Sequence, residues 1–342
     1  MFAPGNEGAL WWTPTSDKKR GRETTSLLAR CTATKTCPKI FETFGGAELW
    51  NQRQSLGMVS NDDGKDIPLP DNVRRYYLPG TMHGGGDGGF NMSAKKGGGG
   101  QCLMMENPNS QQETMRALIT AMTDWTTKNI APPATQAPTL ANGLLTTDKK
   151  GGPFKFPAIP GVPEPYGISN PILDYDFGPN LNYNDLSGHI TQQPPIVKQA
   201  LQTYIPVVDA DGNDRSGVPS ILHQAPLGTY MGWNVTEVGV LAGQICSLNG
   251  SFVPFAKNAA ERQKSGDPRP SLEERYGDRQ GYICAVRKAT RQAIKERFLL
   301  ADDATRLIDE ATAATTDGDL AFLPAAATAK GKALCSAADA TD

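Results

Sequence analysis

The sequence predicts an α/β fold: a few parallel strands, a proline-rich and partly β segment, and a terminal helical module. Three observations carry that expectation. Residues 39–44 (KIFETF) and 73–78 (VRRYYL) are rich in aromatic and β-branched residues, and each run stops at a turn, Gly45-Gly46 and Pro79-Gly80. A helix follows, with Met115, Leu118, Ile119, Met122 and Trp125 at helical spacing and read as a core stripe. Glycine and proline, 36 and 26 of 342 residues, call for long irregular stretches.

Composition narrows the function classes. The formal net charge of -2 argues against a nucleic-acid partner, which would need a basic face. No apolar run approaches the roughly 20 residues of a membrane span. The first residues, MFAPGNEGALWW, lack the charged and apolar regions of a signal peptide. Among the six cysteines there is no C-x-x-C pair, so no metal site is expected, and no cofactor motif occurs. Cys31 and Cys37 are close enough to bridge. Such a bridge would favour a periplasmic or secreted location, with any export signal upstream of Met1.

Taken in order, the chain opens with an irregular segment, a short helix near residues 24–30, and packing aromatics at Trp11 and Trp12. Residues 51–71 read as a polar connection. The helix after residue 110 carries a capping-box pattern, Ser110 with Glu113. Residues 131–200 are proline-rich and aperiodic. Residues 204–208 and 218–223 read as strands around the turn DADGND. That turn resembles the start of a calcium loop, but Asp214 stands where glycine is needed and Ser220 where the distal glutamate is needed, so a hairpin turn is preferred. In PLGTYMGWN (226–234), Tyr230 and Trp233 could line a pocket or seal the core. A further short strand is expected at 250–255. Ser271 and Glu274 form a second capping-box pattern, ahead of helices at 279–299 and 304–311. The expected units are 1–130 (sheet and helix), 131–260 (wrapping segment), 261–315 (helical module) and 316–342 (disordered tail).

The chemistry concentrates where the two strands end. His83 follows the second strand and precedes Gly84, Gly85 and Gly86, which let backbone or substrate approach closely. The bland alternative is a solvent loop whose histidine does nothing. Glu48 lies just past the first strand, at the edge where open α/β sheets gather ligands. Taken alone, it reads as a solvated glutamate in a first helical turn. An acid after one strand, a histidine after the next and a helix beyond them is the closing order of an α/β-hydrolase, nucleophile then acid then histidine. Glu48 would orient His83, and His83 would activate the nucleophile. HGGG also serves as an oxyanion-hole motif in some esterases, but that use needs a downstream G-x-S-x-G, which the sequence does not contain. The serine should therefore precede Glu48. Ser16 and Ser26 do precede it, yet neither sits in a nucleophile elbow, so this chain is expected to be the C-terminal part of a longer protein.

The stretches GNEGALWW (5–12), CPKIFETFGGAELW (37–50), NVRRYYLPGTMHGGG (72–86), TMRALITAMTDW (114–125), FPAIPGVP (156–163), VVDADGND (207–214), PLGTYMGWN (226–234) and VPFAKNAAERQKSGDPRPSLEERYG (253–277) resemble a family of mainly bacterial alpha/beta-hydrolase-domain proteins. The resemblance implies a serine-hydrolase fold acting on a small-molecule ester, with Glu48 as acid and His83 as histidine. It also implies that the nucleophile lies in an upstream half. Gly84, Gly85, Tyr230 and Trp233 are candidate pocket-lining residues. A reading from another class is a non-catalytic ligand- or carbohydrate-binding protein on the same scaffold, using Tyr175, Tyr183, Tyr230 and Trp233. Two parallel strands cut from a larger sheet would expose an apolar edge, so poor solubility or loose packing of residues 1–342 alone is a further expectation.

Overall fold

The computed structural model describes residues 11–18, 21–169, 171–183 and 187–339. The chain opens with an antiparallel pair, β1 (Thr15–Asp17) and β2 (Arg22–Thr25). Helix α1 (Ala29–Thr34) follows, later than the helix expected at 24–30, because those residues begin in β2. A Cys31–Cys37 disulfide closes the end of α1. Trp11 is buried, its indole N–H donating to Leu56 O at 3.1 Å.

Strand β3 (Ile40–Gly45) runs into α2 (Gly46–Trp50), and after a loop comes β4 (Val73–Leu78). The two strands pair in parallel, from Ile40 opposite Val73 to Gly45 opposite Leu78. They therefore end at the same level, and the segments after them leave from one edge. β4 is covered on its other side too: Tyr77 N donates to Gln136 O at 2.8 Å and Gln136 N to Arg75 O at 3.0 Å. Tyr76 and Tyr77 are accordingly fully buried. Strand β3 is less covered, its first four residues only half-buried. Its one charged residue, Glu42, accepts from Trp12 Nε1 at 2.5 Å and Arg75 Nε at 2.9 Å.

Beyond β5 (Met105–Glu106), helix α3 (Gln112–Lys128) packs on this pair. Its buried face is Thr114, Ala117, Leu118, Ala121 and Trp125. Leu118 and Trp125 lie in the core as expected, but Ile119 is 62% exposed, because the buried arc centres on Thr114, Leu118, Ala121 and Trp125 and the 100° step per residue carries Ile119 away from it. The Ser110–Glu113 capping box does not form. Gln111 is the N-cap, and Glu113 is drawn instead to Arg306 at 2.5 Å. Short strands β6 (Leu145–Thr146), β7 (Leu173–Asp176), β8 (Ile196–Ala200) and β9 (Ile205–Pro206) punctuate the proline-rich stretch. Residues 209–213 form a turn closed by a Val208–Asp214 bridge. The stretch at 218–223 enters a short helix, α4 (Ile221–Gln224), not a strand, because Ser220 caps it by accepting from His223 N at 3.1 Å.

Strands β10 (Gly228–Met231) and β11 (Ser251–Pro254) join β5 in a three-stranded antiparallel sheet. A Cys102–Cys246 disulfide ties its flank. Helices α5 (Ala259–Ser265), α6 (Leu272–Tyr276), α7 (Arg279–Lys295) and α8 (Ala301–Thr316) follow. The Ser271–Glu274 capping box does form at α6. The tail departs from expectation: 316–342 contains α9 (Ala329–Asp339), held to α7 by the Cys284–Cys335 disulfide. On the chain-entropy model this bridge contributes about 4 kcal/mol, enough to order an alanine-rich segment that buries little. The largest core cluster joins β10, β11 and the helical module through Tyr230, Phe252, Tyr276, Tyr282 and Leu307. No helix among the described residues is long and apolar enough to cross a membrane.

Candidate active site

The shared end of β3 and β4 brings Glu48 and His83 together. Glu48 Oε1 lies 2.5 Å from His83 Nδ1. Glu48 is 2% exposed, and its other oxygen, Oε2, accepts from Gly45 N at 2.7 Å. One carboxylate thus caps the start of α2 and faces the imidazole, which fixes its rotamer from two sides. The His83 side chain is 43% exposed. With Nδ1 taken by Glu48, Nε2 is the nitrogen left for proton transfer.

Close backbone packing makes this geometry attainable. A Cβ on Gly45 would lie 2.2 Å from Thr81 Oγ1, and one on Gly232 would lie 2.2 Å from Gly46 C, so strand end, helix start and histidine turn sit against one another only because these residues are glycines. Ala47 N donates to Thr81 O at 3.0 Å, bonding the acid's helix directly to the histidine's turn. Gln111 Nε2 donates to Thr81 Oγ1 at 2.9 Å and to Met82 O at 3.2 Å. After His83, Gly84 and Gly85 take φ of +81° and +80°. Only Gly84 has open space around it, because Gly85 and Gly86 lie on Gln111 and Asn107.

The turn is also braced from distant parts of the chain, by residues that no local pattern marks. Asp214 Oδ2 accepts from Gly80 N at 2.8 Å and from the Tyr77 hydroxyl at 2.6 Å. Burial pushes the Asp214 carboxyl up to about 6, against the pull of those two hydrogen bonds. Asn107 Nδ2 donates to Gly80 O at 2.8 Å, and Asn109 Nδ2 to Pro79 O at 3.0 Å. A second histidine, His223, packs against the same turn: a Cβ on Gly80 would lie 3.0 Å from its Cδ2. Burial pushes His223 down to about 4, and its Nε2 is buried with no hydrogen-bond partner. In the sequence, Asp214 looked like one more turn residue in DADGND, and His223 carried no signal at all.

Two of the four candidate pocket residues belong to the core instead. Tyr230 stacks on Phe252 with centroids 5.0 Å apart, and Trp233 packs on Trp50 at 5.8 Å; each is 1% exposed. β10 is buried on both faces, so the two rings, three residues apart, enter different core clusters, Tyr230 with Phe252 and Trp233 with Trp50. Neither they nor Gly84 and Gly85 line any of the four cavities described. The carbohydrate-binding reading thereby loses half its aromatics. Of the other two, Tyr175 packs on Phe177 at 5.8 Å, and Lys198 lies over the Tyr183 ring at 4.7 Å. Among the described residues, no group of three or more His, Cys, Asp or Glu side chains is placed to hold a metal ion.

The chain order here, an acid after one strand and a histidine after the next, is the order in which these residue types follow the nucleophile in α/β-hydrolases. Residues 6–309 match the model of the alpha/beta hydrolase domain family, and the chain belongs to that family. No curated protein and no solved structure matches the sequence.

Proposed function

We propose that Glu48 and His83 are the acid and base of a serine triad that hydrolyses carboxylic esters. The observation that carries this reading is the 2.5 Å contact between Glu48 Oε1 and His83 Nδ1 at the common end of β3 and β4, with the acid buried and the imidazole reachable. In the reaction, His83 Nε2 takes the proton of the serine hydroxyl as that oxygen attacks the ester carbonyl. The same proton then passes to the departing alcohol, leaving an acyl-enzyme. A water, deprotonated by His83, attacks the acyl carbonyl and releases the acid. Glu48 stays ionised throughout, holds the ring tautomer and stabilises the imidazolium.

The nucleophile and the oxyanion-hole N–H groups come, in this reading, from a segment preceding residue 1. Two facts support that. The sequence has no G-x-S-x-G, and all six cysteines are disulfide-bonded. The three bridges also support folding in an oxidising compartment, outside the reducing cytosol.

In a polypeptide extended upstream through the nucleophile segment, His83→Ala should lower ester turnover by about 10⁴- to 10⁶-fold while its melting curve stays in place. An unchanged rate removes His83 from the mechanism. Residues 1–342 alone should not be labelled by a fluorophosphonate; a labelled serine within them would refute the external nucleophile.

A further inference from the structure

A cavity of about 500 Å³ lies between α3, α4 and α8, and neither Glu48 nor His83 lines it. Its volume falls within the roughly 300–1,000 Å³ of small-molecule sites. One end is the start of α3. There Gln111 makes no side-chain cap bond, and the first-turn N–H groups of Glu113 and Thr114 have no partner among the described residues. Thr114 lines the same end. It is 5% exposed, and its hydroxyl has no hydrogen-bond partner among the described residues. The opposite wall is apolar, formed by Ile221, Leu222, Ala293, Phe298, Leu299 and Leu307.

Charge at the lining selects among ligands. Arg116 donates to Asp303 Oδ1 at 2.5 Å and to Oδ2 at 2.9 Å. Arg306 donates to Glu113 Oε1 at 2.5 Å and to Glu310 Oε1 at 2.6 Å. Both guanidiniums are thus already engaged by carboxylates. With Asp87, four carboxylates face two guanidiniums around the cavity, a balance of -2. An anion entering would meet that excess with no free cation among the described lining residues to receive it.

We propose that this cavity binds an uncharged carbonyl compound with a medium-length hydrocarbon tail, a ketone or an intact ester, and discriminates against the corresponding carboxylate. The carbonyl oxygen accepts from the Thr114 hydroxyl and the α3 N–H groups, and the tail lies on Leu222, Phe298 and Leu307. The proposal stands on the cavity alone and does not require His83 to be catalytic.

The test is a titration of the ¹⁵N-labelled chain with 2-octanone, which the proposed hydrolase chemistry does not consume, and in parallel with octanoate at low salt. The expected result is saturable shifts at the amides of Glu113, Thr114, Leu222 and Leu299. Thr114→Val, nearly isosteric, should weaken 2-octanone binding about three- to tenfold. Leu307→Trp should abolish it by filling the cavity. Octanoate should bind at least tenfold more weakly, with the gap narrowing as salt is added. Absence of saturable shifts with 2-octanone overturns the proposal. So does octanoate binding as tightly, or a Thr114→Val titration identical to wild type; this last comparison decides the matter if Leu307→Trp does not fold.

Discussion

Two histidines flank the turn at Pro79–Gly80, and their environments are opposite. His83 has a buried carboxylate at 2.5 Å and is itself 43% exposed. His223 is buried against Gly80, has no partner at Nε2, and is held down to about 4 by burial. A histidine suited to moving protons needs a group that stabilises its cation and a path to the molecule it serves. His83 has both. His223 has neither, and at neutral pH it is an uncharged packing residue that fills the underside of the turn. The same residue type, beside one turn, is divided by its partner and its access.

The strongest way to break the comparison is to remove the partner. Glu48→Gln should lower ester turnover about 10⁴-fold in the upstream-extended protein, because the amide can leave the imidazole in the wrong tautomer. His223→Gln should change turnover less than tenfold. Equal losses in a side-by-side kinetic assay would show that the turn, not the Glu48–His83 contact, limits the chemistry.

A substitution at the shared element should strike both histidines. Gly80 has φ of +58°, and a Cβ there would lie 2.7 Å from Tyr230 O. Gly80→Ala should therefore cost about 2–4 kcal/mol, from left-handed strain and overpacking together, read as a lowered urea midpoint. A midpoint unchanged within error would mean the turn yields freely.

Titration sharpens the contrast on the buried side. His223 drops from 6.5 to about 4 on folding, so the unfolded chain binds more protons there, and its contribution to stability is lost as pH falls from 6.5 towards 4. Asp214 rises from 3.8 to about 6, so the folded chain binds more protons there, and stability is lost as pH rises from about 4 towards 6. The two slopes oppose each other in the wild type. Urea midpoints relative to wild type should therefore tilt downward with rising pH in His223→Gln and downward with falling pH in Asp214→Asn. Parallel profiles for all three proteins would show that neither group titrates against the turn.

The smallest effect separates exposed from buried positions on one helix. Ile119→Lys on α3, at 62% exposure, should change stability by less than about 0.5 kcal/mol, whereas Leu118→Ala one position away should cost about 2–5 kcal/mol. Similar thermal shifts for the two would contradict the observed helix orientation.

Much of the site was legible in the sequence, because it depends on short-range grammar. Runs of aromatic and β-branched residues ending at Gly45 and at Pro79-Gly80 mark the strands, and their alternation with loops and a helix implies parallel pairing. Parallel pairing in register then sends Glu48 and His83 off the same edge. Local patterns failed where competition with distant groups decides. Glu113 gave up its capping role for Arg306, 193 residues away. Tyr230 and Trp233 look like pocket aromatics until β11 and Trp50 close over them. The tail looks too poor in apolar residues to fold, until Cys335 meets Cys284.

By itself, then, the sequence determined the two strands, the placing of Glu48 and His83 just past their ends, and the capping box at α6, since each rests on residues a few positions apart. Tertiary structure alone decided which histidine would be paired and which silent, that Cys102 would meet Cys246 and Cys284 meet Cys335, and that Asp214 would brace a turn 134 residues upstream. Burial and long-range hydrogen bonding are properties of the assembled chain, and no window of sequence contains both partners.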